Sequence, residues 1–196
     1  RWLFWNEAVW AEDSGEVEIQ RRIKKSHRRL YALASMYIDE KQRGAIAAWA
    51  KQSDKKSART ATEYLARFEP GIAISHELLD ARPMLLNTKN GTLDLTAGQL
   101  HKHRREDLIT KMAAVDYDSG AQCPRWERFL AETLPDAATI DYVQRAVGYS
   151  LTGLIRDHVL FVLWGAGANG KSTLLLVLLD LLGPYASQAP PDRRRD

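Results

Sequence analysis

The sequence contains a single cysteine, Cys123, among 196 residues. One cysteine excludes an intramolecular disulfide framework and a zinc site built from several cysteines, and it fits a reducing cytosol. Long apolar runs are also lacking, because the longest leucine-rich stretch is about half of the roughly 20 residues that a membrane span needs. No secretory signal is visible. These absences predict a cytoplasmic protein with no membrane partner.

The net charge of +3 is small, so it neither requires nor excludes nucleic acid as a partner. An apolar fraction of 45% is ordinary and predicts a packed core. The chain begins at Arg1 rather than at a methionine, and it ends in a proline- and arginine-rich stretch at 190–196. We therefore expect a fragment, or a chain whose beginning lies upstream.

Residues 165–172, Gly-Ala-Gly-Ala-Asn-Gly-Lys-Ser, match the P-loop pattern G-x-x-x-x-G-K-[ST] at every fixed position. The apolar run before the loop, His158–Trp164, predicts a buried central strand of a parallel sheet. The apolar run from Thr173 to Leu182 predicts a helix that ends at Gly183-Pro184. The flanking runs thus supply the strand–loop–helix context that a P-loop requires.

Each part of this loop has a chemical role in binding ATP with Mg²⁺. Glycines at 165, 167 and 170 let the backbone pass close to phosphate oxygens, and the loop N–H groups and the positive end of the helix bind anions. Lys171 is expected to reach the β- and γ-phosphates, which makes it the predicted catalytic residue, and the Ser172 hydroxyl is expected to ligate Mg²⁺.

The glycine spacing also fits the dinucleotide-binding fingerprint G-x-G-x-x-G. That interpretation needs an acidic residue about 20 positions further on, at the end of a second strand. Asp192 has this spacing, but it follows Pro190-Pro191 with no strand-like run before it. Because the pair Lys171-Ser172 has no role in dinucleotide binding, the P-loop interpretation is favoured.

The rest of the chain predicts short helices and strands that together give an α+β fold class. A mainly helical upstream domain with a small antiparallel β-meander precedes the first strand, P-loop and helix of an incomplete α/β P-loop NTPase. The predicted domains are 1–83, 84–155 and 156–196. The predicted elements are a hairpin at 1–10, helices at 16–39, 45–51, 55–68 and just after Ser75, a meander at 84–103 turning at Asn90-Gly91, a strand at 109–117, and helices from Pro124 and from an Asp136 cap to about 151.

The first long helix carries six Lys or Arg residues within nine positions, 21–29, between its apolar positions Ile19, Ile23, Leu30, Leu33 and Tyr37. Such a segment is either a phosphate-contacting face or a solvated helix surface. Solvated surfaces are the more common of the two. The candidate DNA contacts are Arg21, Arg22, Lys24, Lys25, Arg28 and Arg29.

Other patterns allow both a functional and a plain structural interpretation. His101 and His103 face one side of a strand and form a potential metal pair, but no third ligand is near, so an exposed polar face is favoured. Asp116 and Asp118 suit metal binding, whereas the Ser-Gly pair that follows favours a turn. The choice between base stacking and hairpin packing also arises for Trp2, Trp5 and Trp10, and packing is favoured.

Several short motifs occur in the order that is found in phage and plasmid primase–helicases. The upstream part resembles the domain named after the N-terminal part of the poxvirus primase–helicase, and the P-loop part resembles the start of a superfamily 3 helicase. The resemblance runs from about Leu85 to Gln188, and before Leu85 it rests mostly on element order. Its motifs lie at 87–95, 103–107, 115–118, 123–126, 144–153 and 165–172.

This resemblance implies an ATP-driven DNA helicase of phage, prophage or plasmid origin in a bacterial host. Such helicases act in DNA replication on single-stranded or forked DNA as homo-oligomeric rings, often fused to a primase. Carried over by position, the nucleotide site comprises Gly165, Gly167, Asn169, Gly170, Lys171, Ser172 and Thr173.

Helicases of this kind also need an acidic Walker B pair, a sensor residue and an arginine finger, and none has room after Leu182. We therefore expect this chain to bind ATP without hydrolysing it. The alternative function is a non-catalytic DNA- or replisome-binding module with a vestigial P-loop. The leucines of the helix after the loop are expected to pack on upstream helices, to self-associate or to stay exposed.

Overall fold

The computed structural model describes residues 1–167 and 169–189. The chain forms two compact units, one of Arg1–Asn6 with Trp10–Leu78 and one of Glu7–Val9 with the residues from Leu79 onward. The regular elements within the described residues are β1 (Leu3–Trp5), β2 (Trp10–Glu12), α1 (Val17–Ser35), α2 (Glu40–Ser53), α3 (Lys56–Ala66), β3 (Leu85–Thr88), β4 (Gly91–Asp94), β5 (Gln99–His101), α4 (Pro124–Thr133), α5 (Ala137–Ser150) and α6 (Lys171–Leu182).

The first unit begins with the predicted hairpin, in which β1 and β2 pair antiparallel and Trp5 lies opposite Trp10. The carboxylate of Asp13 then accepts the N–H groups of Glu18 and Ile19 at 2.9 and 2.8 Å, which satisfies free amides at the start of α1. The three helices α1, α2 and α3 follow, as the apolar spacing predicts. The buried stripe of α1 contains His27, a position that the apolar pattern alone does not select.

One buried carboxylate, Glu63 on α3, joins the parts of the first unit. It accepts hydrogen bonds from Trp2 Nε1 at 3.2 Å, Gln20 Nε2 at 2.8 Å and Arg67 Nη2 at 3.0 Å. Burial by itself raises the pKa of Glu63, but the bonds from Arg67, Trp2 and Gln20 outweigh it and hold the pKa below its ordinary value. The ionised carboxylate therefore connects the hairpin segment, α1 and α3.

The second unit contains the predicted β-meander, with strand order β3-β4-β5 and antiparallel pairing throughout. Thr88 pairs with Gly91, so the turn consists of Lys89 and Asn90, one position earlier than the predicted Asn90-Gly91 turn. A Cβ at Gly91 would lie 2.3 Å from the carbonyl oxygen of His101. This glycine therefore serves the close approach of β5 rather than the turn itself.

The side chain and backbone of Asn87 in β3 connect the parts of the second unit. Asn87 is fully buried, and all of its polar groups are paired. Such a satisfied network is costly to break, because each lost partner leaves a buried group unpaired. Its partners are the carbonyl oxygens of Ala8 and Lys111, the hydroxyls of Thr92 and Tyr185, and the N–H of Ala113.

The predicted strand at 109–117 is wrong, because this segment runs beside β3 without forming a ladder. It touches β3 where the N–H of Ala113 donates to Asn87 O at 2.8 Å and where the N–H of Lys89 donates to Val115 O at 3.0 Å. Next to the first of these contacts, the hydroxyl of Tyr185 accepts the Asn87 N–H at 3.1 Å. A side chain thus occupies the edge position that a neighbouring strand would need.

The helices after the meander form as predicted. Asp136 caps α5, since its carboxylate accepts the N–H of Thr139 at 2.7 Å. The helix α6 begins at Lys171 and ends at Gly183, whose φ of +53° closes the helix as the sequence indicates. Leu174 of α6 is buried, whereas Leu176 is largely exposed, so this helix packs with part of its surface only.

The predicted strand at 158–164 is also wrong, because these residues pair with no strand of the described chain. Leu160 and Trp164 are 87% and 94% exposed. A central strand forms only when neighbouring strands bind its N–H and C=O groups on both edges. The α+β class is confirmed, whereas the strand expected to open a P-loop NTPase sheet is not formed. None of the helices in the described part of the chain combines the length and apolar character needed to cross a bilayer.

Candidate functional site

The loop before α6 is closed by the side chain of Lys171. Its ammonium donates to the carbonyl oxygens of Gly165 at 3.0 Å and Ala166 at 3.1 Å, and also to the side-chain oxygen of Asn169. The first residues of the P-loop pattern therefore lie beside the lysine near its end. The structure thus places Gly165, Asn169, Gly170 and Lys171 close together.

Two of the three glycines of the pattern are required by the observed geometry. A Cβ at Gly165 would lie 2.2 Å from the side-chain nitrogen of Asn169. Gly170 has φ +79°, and a Cβ there would lie 2.5 Å from the methyl group of Thr133 on α4. A Cβ at Gly167, by contrast, meets no described atom within 4 Å.

The N-terminus of α6 presents free amides beside this loop. The helical hydrogen bonds begin with the Leu174 N–H, which donates to Gly170 O at 2.9 Å. No described side chain caps the first turn, and Ser172 and Thr173 are exposed there. Unpaired N–H groups at the positive end of a helix are a suitable site for a phosphate.

The residues present fit a phosphate chain better than they define a metal site. The amides of the first turn and the Lys171 ammonium are all phosphate-binding groups. For Mg²⁺ the loop offers the Ser172 hydroxyl, and the described residues contain no cluster of three or more His, Cys, Asp or Glu side chains that could hold a metal. A Mg²⁺ ion here would therefore take its other ligands from phosphate and water.

The base of the loop rests on α4, a contact that the sequence did not reveal. A small cavity behind the lysine is lined by Phe129, Thr133, Leu163 and Leu174, among others. Phe129 and Thr133 are one helical turn apart, so they face the same direction along α4. The only signal in the sequence is this helical spacing, and it does not say which segment the face contacts.

The basic segment of α1 lies on the exposed side of the helix, opposite the buried residues. Arg21 and Arg22 form ion pairs with Glu18 at 3.9 and 3.0 Å. Among the described residues, the other four cations form no ion pair. These four residues, here called the free basic face, are Lys24, Lys25, Arg28 and Arg29.

The other sequence candidates have structural roles. His103 Nε2–H donates to Thr88 O at 2.8 Å, which places this histidine in the packing of the meander. Asp118 accepts the Gly120 N–H at 2.8 Å, as the turn interpretation predicts. The tryptophans of the hairpin are packed, with Trp5 and Trp10 in ring contact and Trp2 bonded to Glu63.

The family described as D5 N terminal like matches residues 1–135 of this chain. This range is more than half of the chain, so the protein belongs to that family. The resemblance of the upstream part to this domain is confirmed. The match also includes the residues before Leu85, for which element order was the main indication.

Two viral proteins are similar to part of the chain. The chain is 31% identical over 110 residues to "Putative helicase L207/L206" of Acanthamoeba polyphaga mimivirus. It is 27% identical over 112 residues to "Putative helicase 121R" of Invertebrate iridescent virus 3. These matches cover 54% and 55% of this chain but only 11% and 12% of the two relatives.

Proposed function

We propose that this chain is the nucleotide-binding part of a DNA-replication helicase of the primase–helicase type. In this proposal, the segment 165–173 binds the phosphates of ATP with Mg²⁺. The supporting observation is the Lys171 ammonium, which is held against the loop carbonyls of Gly165 and Ala166 beside the uncapped N-terminus of α6. Membership of the D5 N terminal like family and the helicase names of the viral relatives support the replication context.

In this proposal, the chain alone binds ATP but does not hydrolyse it. Phosphoryl transfer requires that Mg²⁺ and the attacking water be positioned, in addition to binding of the phosphates. In this proposal the Ser172 hydroxyl supplies one metal ligand, and no residue of this chain is assigned as the Walker B pair or the arginine finger that such helicases need. Hydrolysis, a homo-oligomeric ring and action on single-stranded or forked DNA are proposed for the full-length helicase type, on the resemblance described above.

A titration with ATP and Mg²⁺, followed calorimetrically, tests nucleotide binding. We expect Lys171→Ala to weaken binding by at least about tenfold, since a charged hydrogen bond to phosphate contributes about 1.5–3 kcal/mol. Lys102→Ala is the matched control, because it removes the same charge from an exposed position of the second unit. Equal affinity of Lys171→Ala and the control would contradict the proposal, and steady-state ATP hydrolysis by the chain alone would contradict its second part.

A second candidate function is DNA binding by the free basic face of α1. The observation in its favour is that these four cations are exposed and are not neutralised by carboxylates of the described residues. Replacing all four by Glu is expected to weaken binding to DNA strongly, and binding by the unaltered chain is expected to fall steeply with salt. Lys171→Ala should leave DNA binding unchanged. Binding that is independent of salt would refute this candidate.

A further inference from the structure

Two aromatic side chains near the end of α3 are exposed side by side. Tyr64 and Phe68 are 60% and 68% exposed, and their rings meet edge to face with centroids 5.3 Å apart. Exposed apolar residues are common, so this pair is informative only together with the charge and polarity of the surface beside it. Tyr64 belongs to α3 and Phe68 lies just past its end, so the ring contact itself places the two rings side by side.

A shallow and widely open depression, here called the groove of α3, runs along one face of the helix from Tyr64 toward its start. It is lined by Lys56, Ser57, Thr60, Ala61 and Tyr64. The floor of this groove therefore consists of small side chains, two of which carry hydroxyl groups. A groove for an apolar helix of a protein partner would be lined by large aliphatic residues instead.

The other end of the groove is positively charged. Lys55 and Lys56 begin α3, no acidic residue lies in its first turn, and no side chain caps that turn. The positive end of the helix adds to the charge of the two lysines. From Lys56 to Tyr64 the helix rises about 12 Å, so the cationic end and the aromatic end lie within reach of one short strand of nucleic acid.

We infer that the groove of α3 is a binding surface for single-stranded nucleic acid. Phosphates bind at Lys55 and Lys56, the hydroxyls of Ser57 and Thr60 line the path, and bases stack on Tyr64. Aromatic stacking distinguishes this surface from the free basic face of α1, since the faces of bases are accessible only in a single strand. The surface does not require nucleotide binding at Lys171.

The test measures binding of the full chain to a labelled oligothymidylate of about 20 nucleotides and to a duplex of equal length. We expect the double variant Tyr64→Ala with Phe68→Ala to lose about tenfold or more in affinity for the single strand, with little change for the duplex. Tyr64→Trp should retain single-strand binding, because it preserves an aromatic face. The double variant's circular dichroism should match that of the unaltered chain.

The chain offers a matched control in the second unit. Tyr142 and Phe161 form another edge-to-face pair of the same composition, with ring centroids 6.4 Å apart and both rings substantially exposed. No groove residue of α3 belongs to this pair. Replacing Tyr142 and Phe161 by Ala should leave single-strand affinity unchanged. An equal loss in both double variants would overturn the inference, because it would indicate a general effect of removing exposed rings.

Charge reversal separates this surface from the proposed functions. Lys55→Glu with Lys56→Glu should weaken single-strand binding and lower the salt dependence by about one unit of slope for each lysine. Reversal of the free basic face should weaken single-strand and duplex binding alike. If the α3 variants bind the single strand as tightly as the unaltered chain does, the inference fails, while DNA binding by α1 and ATP binding at Lys171 stand or fall by their own variants.

Discussion

Within each of the two units, a buried polar side chain connects segments that are distant in sequence. This side chain is Glu63 in the first unit and Asn87 in the second. Glu63 is ionised and accepts three side-chain hydrogen bonds, including one from Arg67. Asn87 is neutral and both donates and accepts, so backbone carbonyls and a hydroxyl complete its network without any charge. The same connecting role is thus performed by a carboxylate in one unit and by an amide in the other. Only the carboxylate changes its charge with pH.

The difference has a direct consequence for the response of each unit to pH. The pKa of Glu63 in the folded protein lies below its ordinary value of 4.5. Its contribution to stability is therefore fully present above that value and is lost as the pH falls through the lower, folded pKa. Asn87 does not titrate. Acid is expected to weaken the first unit through Glu63 and to leave the Asn87 network intact.

The largest expected effect is the loss of the Asn87 network. Asn87→Ala leaves the carbonyl oxygens of Ala8 and Lys111 and the hydroxyl of Thr92 without the amide they bind, which should cost about 3 kcal/mol of unfolding free energy. Urea denaturation of the second unit measures this loss. A midpoint within error of the unaltered chain would show that the network does not support the fold.

Asn87→Asp replaces the neutral amide by an ionisable carboxyl group, and so tests directly the comparison between Asn87 and Glu63. A buried carboxylate with no cation in its network is expected to have a raised pKa in the folded protein. Stability should therefore be highest at low pH and should fall as the pH rises, which is the reverse of the expectation for Glu63. Denaturation midpoints measured at about pH 4 and pH 7 would give this sign.

Substitution of Glu63 is expected to have the next largest effect on stability. Glu63→Gln keeps the shape but weakens the bonds from Arg67 and Trp2, which should cost about 2 kcal/mol and reduce the acid dependence of the first unit. Glu69→Gln is the control, since Glu69 is exposed and should change stability by less than about 0.5 kcal/mol. An acid transition that is identical in Glu63→Gln and in the unaltered chain would contradict the role of the Glu63 charge.

The glycines of the loop before α6 give a smaller effect on stability. Gly170→Ala should cost about 1–2 kcal/mol, because Gly170 has a positive φ and lies against Thr133. Gly167→Ala should leave the free energy of unfolding nearly unchanged, since its Cβ meets open space. If ATP phosphates pass close to Gly167, its substitution should nevertheless weaken ATP binding in the calorimetric titration. Equal stability of the two variants would refute the assignment of strain to Gly170.

Sequence predicts best the features that are decided by neighbouring residues. The Asp136 cap, the end of α6 at Gly183 and the pairing of β3 with β4 each follow from a few adjacent positions, and each is observed. Within residues 165–171, the Lys171 ammonium donates to the carbonyl oxygens of Gly165 and Ala166, whereas the binding of phosphates by this loop stays a prediction.

Contacts between distant segments are what the sequence does not reveal. Asn87 looks like an ordinary polar residue near a turn, yet its partners include residues 79 positions before and 98 positions after it in the chain. The strand predicted at 158–164 failed for a related reason. Its apolar residues satisfy the pattern of a central strand, but the pattern assumes neighbouring strands, and none lies beside it in the described chain.

The smallest expected effect concerns the cap of α5. The Thr139 N–H is the main cause that lowers the pKa of Asp136, so the ionised carboxylate is the form that stabilises the helix. This contribution is present above the ordinary pKa of 3.8 and is lost as the pH falls through the lower, folded value. Because Asp136 is exposed, Asp136→Ala should lower the thermal midpoint by only about 2–4 °C at neutral pH. Asp136→Ser should restore most of it by capping through its hydroxyl, and a full loss in the serine variant would attribute the effect to charge rather than to the cap.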